Sequence, residues 1–156
     1  MPLYVHTVLS FISCIGFGIL FNVQKRTLLL AAANGAIGWT MVLSFSIPQV
    51  SYIFANLLSA LVVGILAEIF AVIQKTPATG FVVIGVIPLV PGFRVYKSML
   101  FFVRGELNTG ISEGIHACFI AVAIAVGIIL ATSVSRMIRQ RINDYKKNTK
   151  RNKTAP

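Results

Sequence analysis

Charge is scarce in this chain. Of its 156 residues 12% are charged and 56% hydrophobic, and mean hydropathy is +0.84. A soluble domain carries about a quarter charged residues, so this balance excludes an ordinary soluble globule and points to an integral membrane protein. Cysteine is nearly absent: Cys14 and Cys118 both sit in apolar runs. Two such residues exclude a disulfide framework and a cysteine-built zinc site, and read as small packing residues. Also missing are a phosphate-binding glycine loop, a nucleophile–base–acid constellation and a cluster of metal ligands. The sequence therefore makes no case for an enzyme, a metal or a cofactor. The start lacks the basic n-region of a signal peptide, so the first apolar run is expected to stay as a helix.

Positive charge is present, but at one end. The net charge is +10, and eight of the fourteen Lys and Arg residues fall between Arg136 and Lys153. No aromatic–basic motif accompanies them, which argues against nucleic acid. A basic tail over 136–156, directly behind an apolar span, reads as a cytoplasmic retention signal with membrane lipid as a further partner.

A spanning helix needs about 20 mostly apolar residues. Runs of that kind predict spans at about 3–22, 28–47, 51–73, 79–105 and 111–134, the fourth of them broken. The expected fold is an all-α, polytopic membrane helix bundle over 1–135. The positive-inside rule places Lys25, Arg26, Lys75 and the tail in the cytoplasm, with the uncharged 46–51 turn and the N-terminus outside. Arg94, Lys97 and Arg104 then fall on the outer half of the fourth span, against the rule. Small residues recur every four positions: Ser10, Cys14 and Gly18; Ala31 and Gly35; Ala60 and Gly64; Ala117, Ala121 and Ala125, with Ala123, Gly127 and Ala131 nearby. Such rows let helix backbones approach closely in lipid, within one bundle or between copies in a homo-oligomer.

The stretch VIGVIPLVPGFRVYKSM, 83–99, explains the misplaced cations. Pro88 and Pro91 each lack a donor and clash with the preceding turn, and Gly92 adds permissive dihedrals. A helix ending near Ile87 and a new one starting near Phe93 are expected. Irregular backbone at membrane depth is tolerated only against protein or a water-lined cavity. The second half-helix would aim free N–H groups and its positive dipole end at an anion. Arg94, Lys97, Phe101 and Arg104, spaced three, four and three apart, share one face. A carboxylate site and simple anchoring by snorkelling both fit this pattern.

This motif resembles the proline–glycine signature of the threonine/serine exporter family. FNVQKRTLLLAAANGAIGW, 21–39, resembles that family's first cytoplasmic turn and second helix, with Asn22, Val23, Arg26 and Leu28 in order. Gln24 stands where many members carry proline. The resemblance covers about 18–127, and the length matches the small subunit of the split form. It implies a multi-pass subunit in the bacterial plasma (inner) membrane that works with a larger five-span subunit to export small metabolites. Threonine and serine are the implied substrates, or a dicarboxylate such as succinate for the split pair.

On these grounds Pro88, Pro91, Gly92, Arg94, Tyr96 and Lys97 are the candidate substrate-binding residues, with the Tyr96 hydroxyl expected to meet a freed carbonyl. Glu68, seven residues before Lys75, is the candidate for proton coupling, since an intramembrane acid is costly without a use. Asn34 and Asn56 are expected to hydrogen-bond between helices. Glu106 is expected to neutralise Arg104 or Lys97, and Glu113 and His116 to make local polar contacts. The alternative function is that of a non-transporting accessory subunit that stabilises or localises a partner.

Overall fold

The structure, a computed structural model, describes the backbone of residues 3–46 and 51–153 and the side chains of 3–45 and 51–137. The heart of the 46–51 turn, including Pro48, lies outside the described residues, as do the side chains of most of the basic tail. Helices are α1 (Leu3–Leu20), α2 (Lys25–Ser46), α3 (Tyr52–Gln74), α4 (Thr79–Val86), α5 (Gly92–Val103) and α6 (Leu107–Lys153), with a 3-10 turn at Ile87–Leu89. No strand occurs among the described residues. α1, α2, α3 and the Leu107–Met137 part of α6 are each long and apolar enough to cross a bilayer. Thr79–Leu89 and Gly92–Val103 are long and apolar enough only when taken together, bent by 47° at the break, as a broken span or a re-entrant pair. The protein is an all-α polytopic helix bundle.

Helix ends follow from local chemistry. α1 closes with Asn22 at φ 54°, Asn22 N–H on Ile19 O and Val23 N–H on Gly18 O. α3 closes in the same way at Lys75 (φ 53°), and α5 at Gly105 (φ 80°). All three are Schellman motifs, in which a left-handed residue turns the chain back on its last carbonyls. Gln24 O opens α2 by accepting from the Thr27 N–H and hydroxyl at 2.9 and 2.8 Å.

Small residues set the packing. The buried residues of α1 are Ser10, Cys14 and Gly18, the row expected for that helix. Thr7 meets Thr40 and Gly18 meets Leu28, so α1 and α2 run antiparallel. A Cβ on Gly64 would touch Ala131, and one on Gly127 would touch Ala60. Both pairs advance together, so α3 and α6 run parallel, each offering a small-xxx-small face to the other. In α6 the buried row is thus Ala123, Gly127 and Ala131, whereas Ala121 and Ala125 are exposed. This corrects the row expected through Ala117, of which Ala117 alone is buried. α2, α3 and α4 form the middle of the bundle, with α1 on one flank and the α5–α6 hairpin on the other.

Candidate functional site

The break is closed mainly by its own turns. Pro88 has no N–H to give Ile84, and the freed Ile84 carbonyl lies 3.8 Å from the Cys14 thiol of α1. Val90 N–H donates to Ile87 O at 3.3 Å. Pro91, at φ −76° and ψ 47°, makes an inverse γ-turn in which Gly92 N–H reaches Val90 O at 2.7 Å. Pro91 O then accepts from Arg94 and Val95 N–H, both at 3.1 Å. Three of the first four donors of α5 are consequently taken, and at most Phe93 N–H is left for a ligand. The expected ring of free amides at the helix start is therefore absent.

Glycines let the middle helices close around this segment. A Cβ on Gly35 of α2 would stand 2.5 Å from Cys14 Sγ, 3.2 Å from Ile84 O and 3.4 Å from Pro88 Cγ. One on Gly38 would stand 3.1 Å from Leu89 Cδ1, and one on Gly85 2.6 Å from Asn34 Nδ2. Asn34 donates to Val63 O at 3.1 Å and Phe81 O at 3.3 Å, tying α2 to α3 and α4 as expected. Asn56 instead bonds within its own helix, to Tyr52 O at 2.8 Å, because its amide stacks back one turn rather than reaching a neighbour.

Beside the break a cleft of about 380 Å³ opens among α2, α3, α5 and α6. Pro88, Val90, Pro91 and Phe93 form its broken wall, Arg94 and Lys97 come from α5, and Trp39, Tyr52 and Glu113 come from α2, α3 and α6. Arg94 Nη1 lies 3.0 Å from Glu113 Oε2, and the guanidinium sits 5.5 Å from the Tyr52 ring centroid. Lys97 Nζ is 5.1 Å from the Phe93 ring. Each cation is thus steadied by an aromatic face. Arg94 and Glu113 are 35% and 23% exposed, so solvent screens them less than a surface pair. The cleft holds two cations and one carboxylate.

The expected residues divide. Pro88, Pro91, Arg94 and Lys97 line the cleft; Gly92 does not, and Tyr96 is 60% exposed and points off it. Tyr96 lies on the outward side of α5 with Val95 and Met99, so its hydroxyl meets no freed carbonyl. Glu106 is exposed and pairs with neither Arg104 nor Lys97; among the described residues the ion pair formed is Arg94–Glu113. Glu113 therefore spans the hairpin rather than meeting His116. Glu68 lies elsewhere, in an open groove of about 1020 Å³ with Lys75, Thr76 and Ser135 at the opposite end of the bundle. It stands about 24 Å along α3 from Tyr52, at 1.5 Å per residue. Trp39 and Tyr52 were not anticipated in the cleft, and Glu113 was expected only in a local polar contact. Trp39 does close the 21–39 motif, the one sequence signal that pointed toward it.

Comparison with known proteins agrees with this architecture. The family model described as Threonine/Serine exporter, ThrE, matches residues 6–134. An uncharacterised protein of Haemophilus influenzae is 29% identical over 130 residues, covering 76% of this chain and 43% of that protein. The chain thus spans less than half the length of that relative. No solved structure matches it. Its apolar helices, its bent helix pair at 79–103 and the match over most of its length together place it: the chain belongs to the threonine/serine exporter family.

Proposed function

We propose that this chain is one part of a secondary exporter, and that the cleft beside the break is where a small carboxylate-bearing metabolite engages it. The observation that carries this reading is the half-buried Arg94 with Lys97 beside it, at a helix break that opens onto a cavity. Guanidinium carries five donors in a fork suited to carboxylates, and Glu113 takes one of them. Threonine and serine, or a dicarboxylate such as succinate, have the required group. The family supports the first two. The match covers 43% of its longer relative; in this reading a larger partner subunit of the same family completes the exporter, with a second copy of this chain as the alternative. Transport is alternating access around the break.

Lys25, Arg26 and Lys75 lie at the same end of the bundle, and Lys75 shares a groove with Ser135, just before Arg136. The positive-inside rule makes that end cytoplasmic in a bacterial inner membrane, with the N-terminus outside and the basic 136–156 segment on anionic lipid. Glu68, at the cytoplasmic end, is the candidate for proton coupling, acting at a distance from the cleft.

Vesicles loaded with threonine or succinate test this reading, with the partner present alone or together with this chain. Export that depends on this chain is expected; full export by the partner alone makes the chain an accessory subunit. Arg94→Ala should lower export about tenfold or more at unchanged membrane abundance, as expected for loss of a hydrogen bond to a charged group. Unchanged export reduces Arg94 to an anchor.

A further inference from the structure

The proposed reading of the cleft assigns no task to Glu113. It is the carboxylate in the cleft lining, and it already occupies the guanidinium on which a substrate carboxylate would have to settle. The contact is made by one oxygen on one terminal nitrogen, Nη1 to Oε2 at 3.0 Å. It is not the two-bond fork that holds structural Arg–carboxylate pairs most firmly. Arg94 keeps a second support, the Tyr52 ring at 5.5 Å, so the guanidinium stays in place when Glu113 lets go. Lys97 lies over Phe93 and forms no ion pair with Glu113. An incoming carboxylate thus meets one cation that is already matched and one that is not.

Resting on the proposed reading of the cleft, we propose that Glu113 is a built-in competitor for the substrate carboxylate. It holds Arg94 while the cleft is empty and is displaced as substrate binds. On release it takes Arg94 back, so the empty cleft does not keep two unmatched cations at membrane depth. Such an exchange weakens binding and speeds release. A purely positioning Glu113, holding Arg94 in the shape the substrate needs, has the opposite consequence: its removal weakens binding.

The sign of one measurement separates the two. Trp39 is the single tryptophan of the chain and lines the cleft, so its fluorescence reports occupancy. The full chain in lipid nanodiscs is titrated with threonine and with succinate, as wild type, Glu113→Gln and Glu113→Asp. Competition predicts about tenfold tighter binding in Glu113→Gln, the equivalent of about 1.4 kcal/mol. It predicts a smaller shift in the same direction for Glu113→Asp, whose carboxylate reaches less far. In vesicles with the partner subunit, Glu113→Gln should lower KM and kcat together. Weaker or unchanged binding in the variants, while wild type responds to either ligand, overturns the competitor role and leaves the cleft reading standing. If Glu113→Gln does not fold, Glu113→Asp carries the same test. Silence of Trp39 toward both ligands in every protein overturns the cleft reading and the competitor with it.

Discussion

Substituting Gly35 tests whether the broken segment is held by close contact with α1 and α2. A methyl at Gly35 would lie 2.5 Å from Cys14 Sγ, while Ile84 O and Pro88 Cγ stand at 3.2 and 3.4 Å. Ordinary contact between heavy atoms is about 3.5–4.0 Å. The sulfur must therefore withdraw by roughly 1 Å, from a side chain that is fully buried. Overpacking of this kind costs about 1–3 kcal/mol, against which Ala gains about 1 kcal/mol of helix propensity over Gly. Gly35→Ala alone should thus destabilise by up to about 2 kcal/mol. Cys14→Ala removes the clashing atom together with its weak contact to Ile84 O, at a cost of about 1 kcal/mol. In that background Gly35→Ala should become neutral or stabilising, since the new methyl fills the vacated space. The coupling between the two sites is then about 2 kcal/mol, well above the 0.3–0.5 kcal/mol scatter of independent sites. Reversible unfolding in mixed micelles, followed through Trp39 emission and helical circular dichroism, measures it. Additivity of the two changes would refute the claim that α1 and α2 grip the break through this contact.

Two further outcomes are expected. Gly127→Ala should weaken the fold by about 1–3 kcal/mol, because its Cβ would stand 2.6 Å from Leu57 O and 3.0 Å from Leu61 N, backbone atoms that cannot step aside; Ala125→Leu, on the exposed side of the same helix, should leave the unfolding midpoint unchanged. If Glu68 couples export to protons, Glu68→Gln should make export indifferent to an imposed pH gradient while leaving the Trp39 titration as in wild type, because Glu68 is about 24 Å along α3 from the cleft.

Much of the fold was legible because lipid imposes simple rules. Length, apolar content and flanking charge predict spans, and proline predicts where one must open. The α1 row was legible too, since a helix at the flank of the bundle buries a single stripe, Ser10, Cys14 and Gly18. α6 packs against α3 and α5 at once, and its sequence offers small residues on more than one face. Periodicity cannot choose among such faces. The choice fell to the face of Gly127 and Ala131, because these meet the Ala60–Gly64 face of α3, with Ala123 buried one turn before. Nor does a hydropathy pattern reveal that a γ-turn at Pro91 would take the Gly92 amide while the Pro91 carbonyl takes those of Arg94 and Val95, amides expected to await a ligand.

The site was half legible for a related reason. Helical spacing put Arg94 and Lys97 on one face of α5, but it says nothing of what stands opposite. That is set by the register of the α5–α6 hairpin. Gly105 in the left-handed region turns the chain, and the Ser98 hydroxyl donates to Gly110 O at 2.7 Å. Gly110 and Gly114 leave room for that contact, since a Cβ on Gly114 would come within 3.0 Å of the Ser98 oxygen. From this pairing, four residues back along α5 is Arg94, and four residues on along α6 is Gly114, beside Glu113. An ion pair 19 residues apart in sequence is therefore a consequence of one serine and two glycines. Shifted one turn further along α6, the same carboxylate would face the break at Pro91, and in the proposed reading Arg94 would meet substrate unopposed.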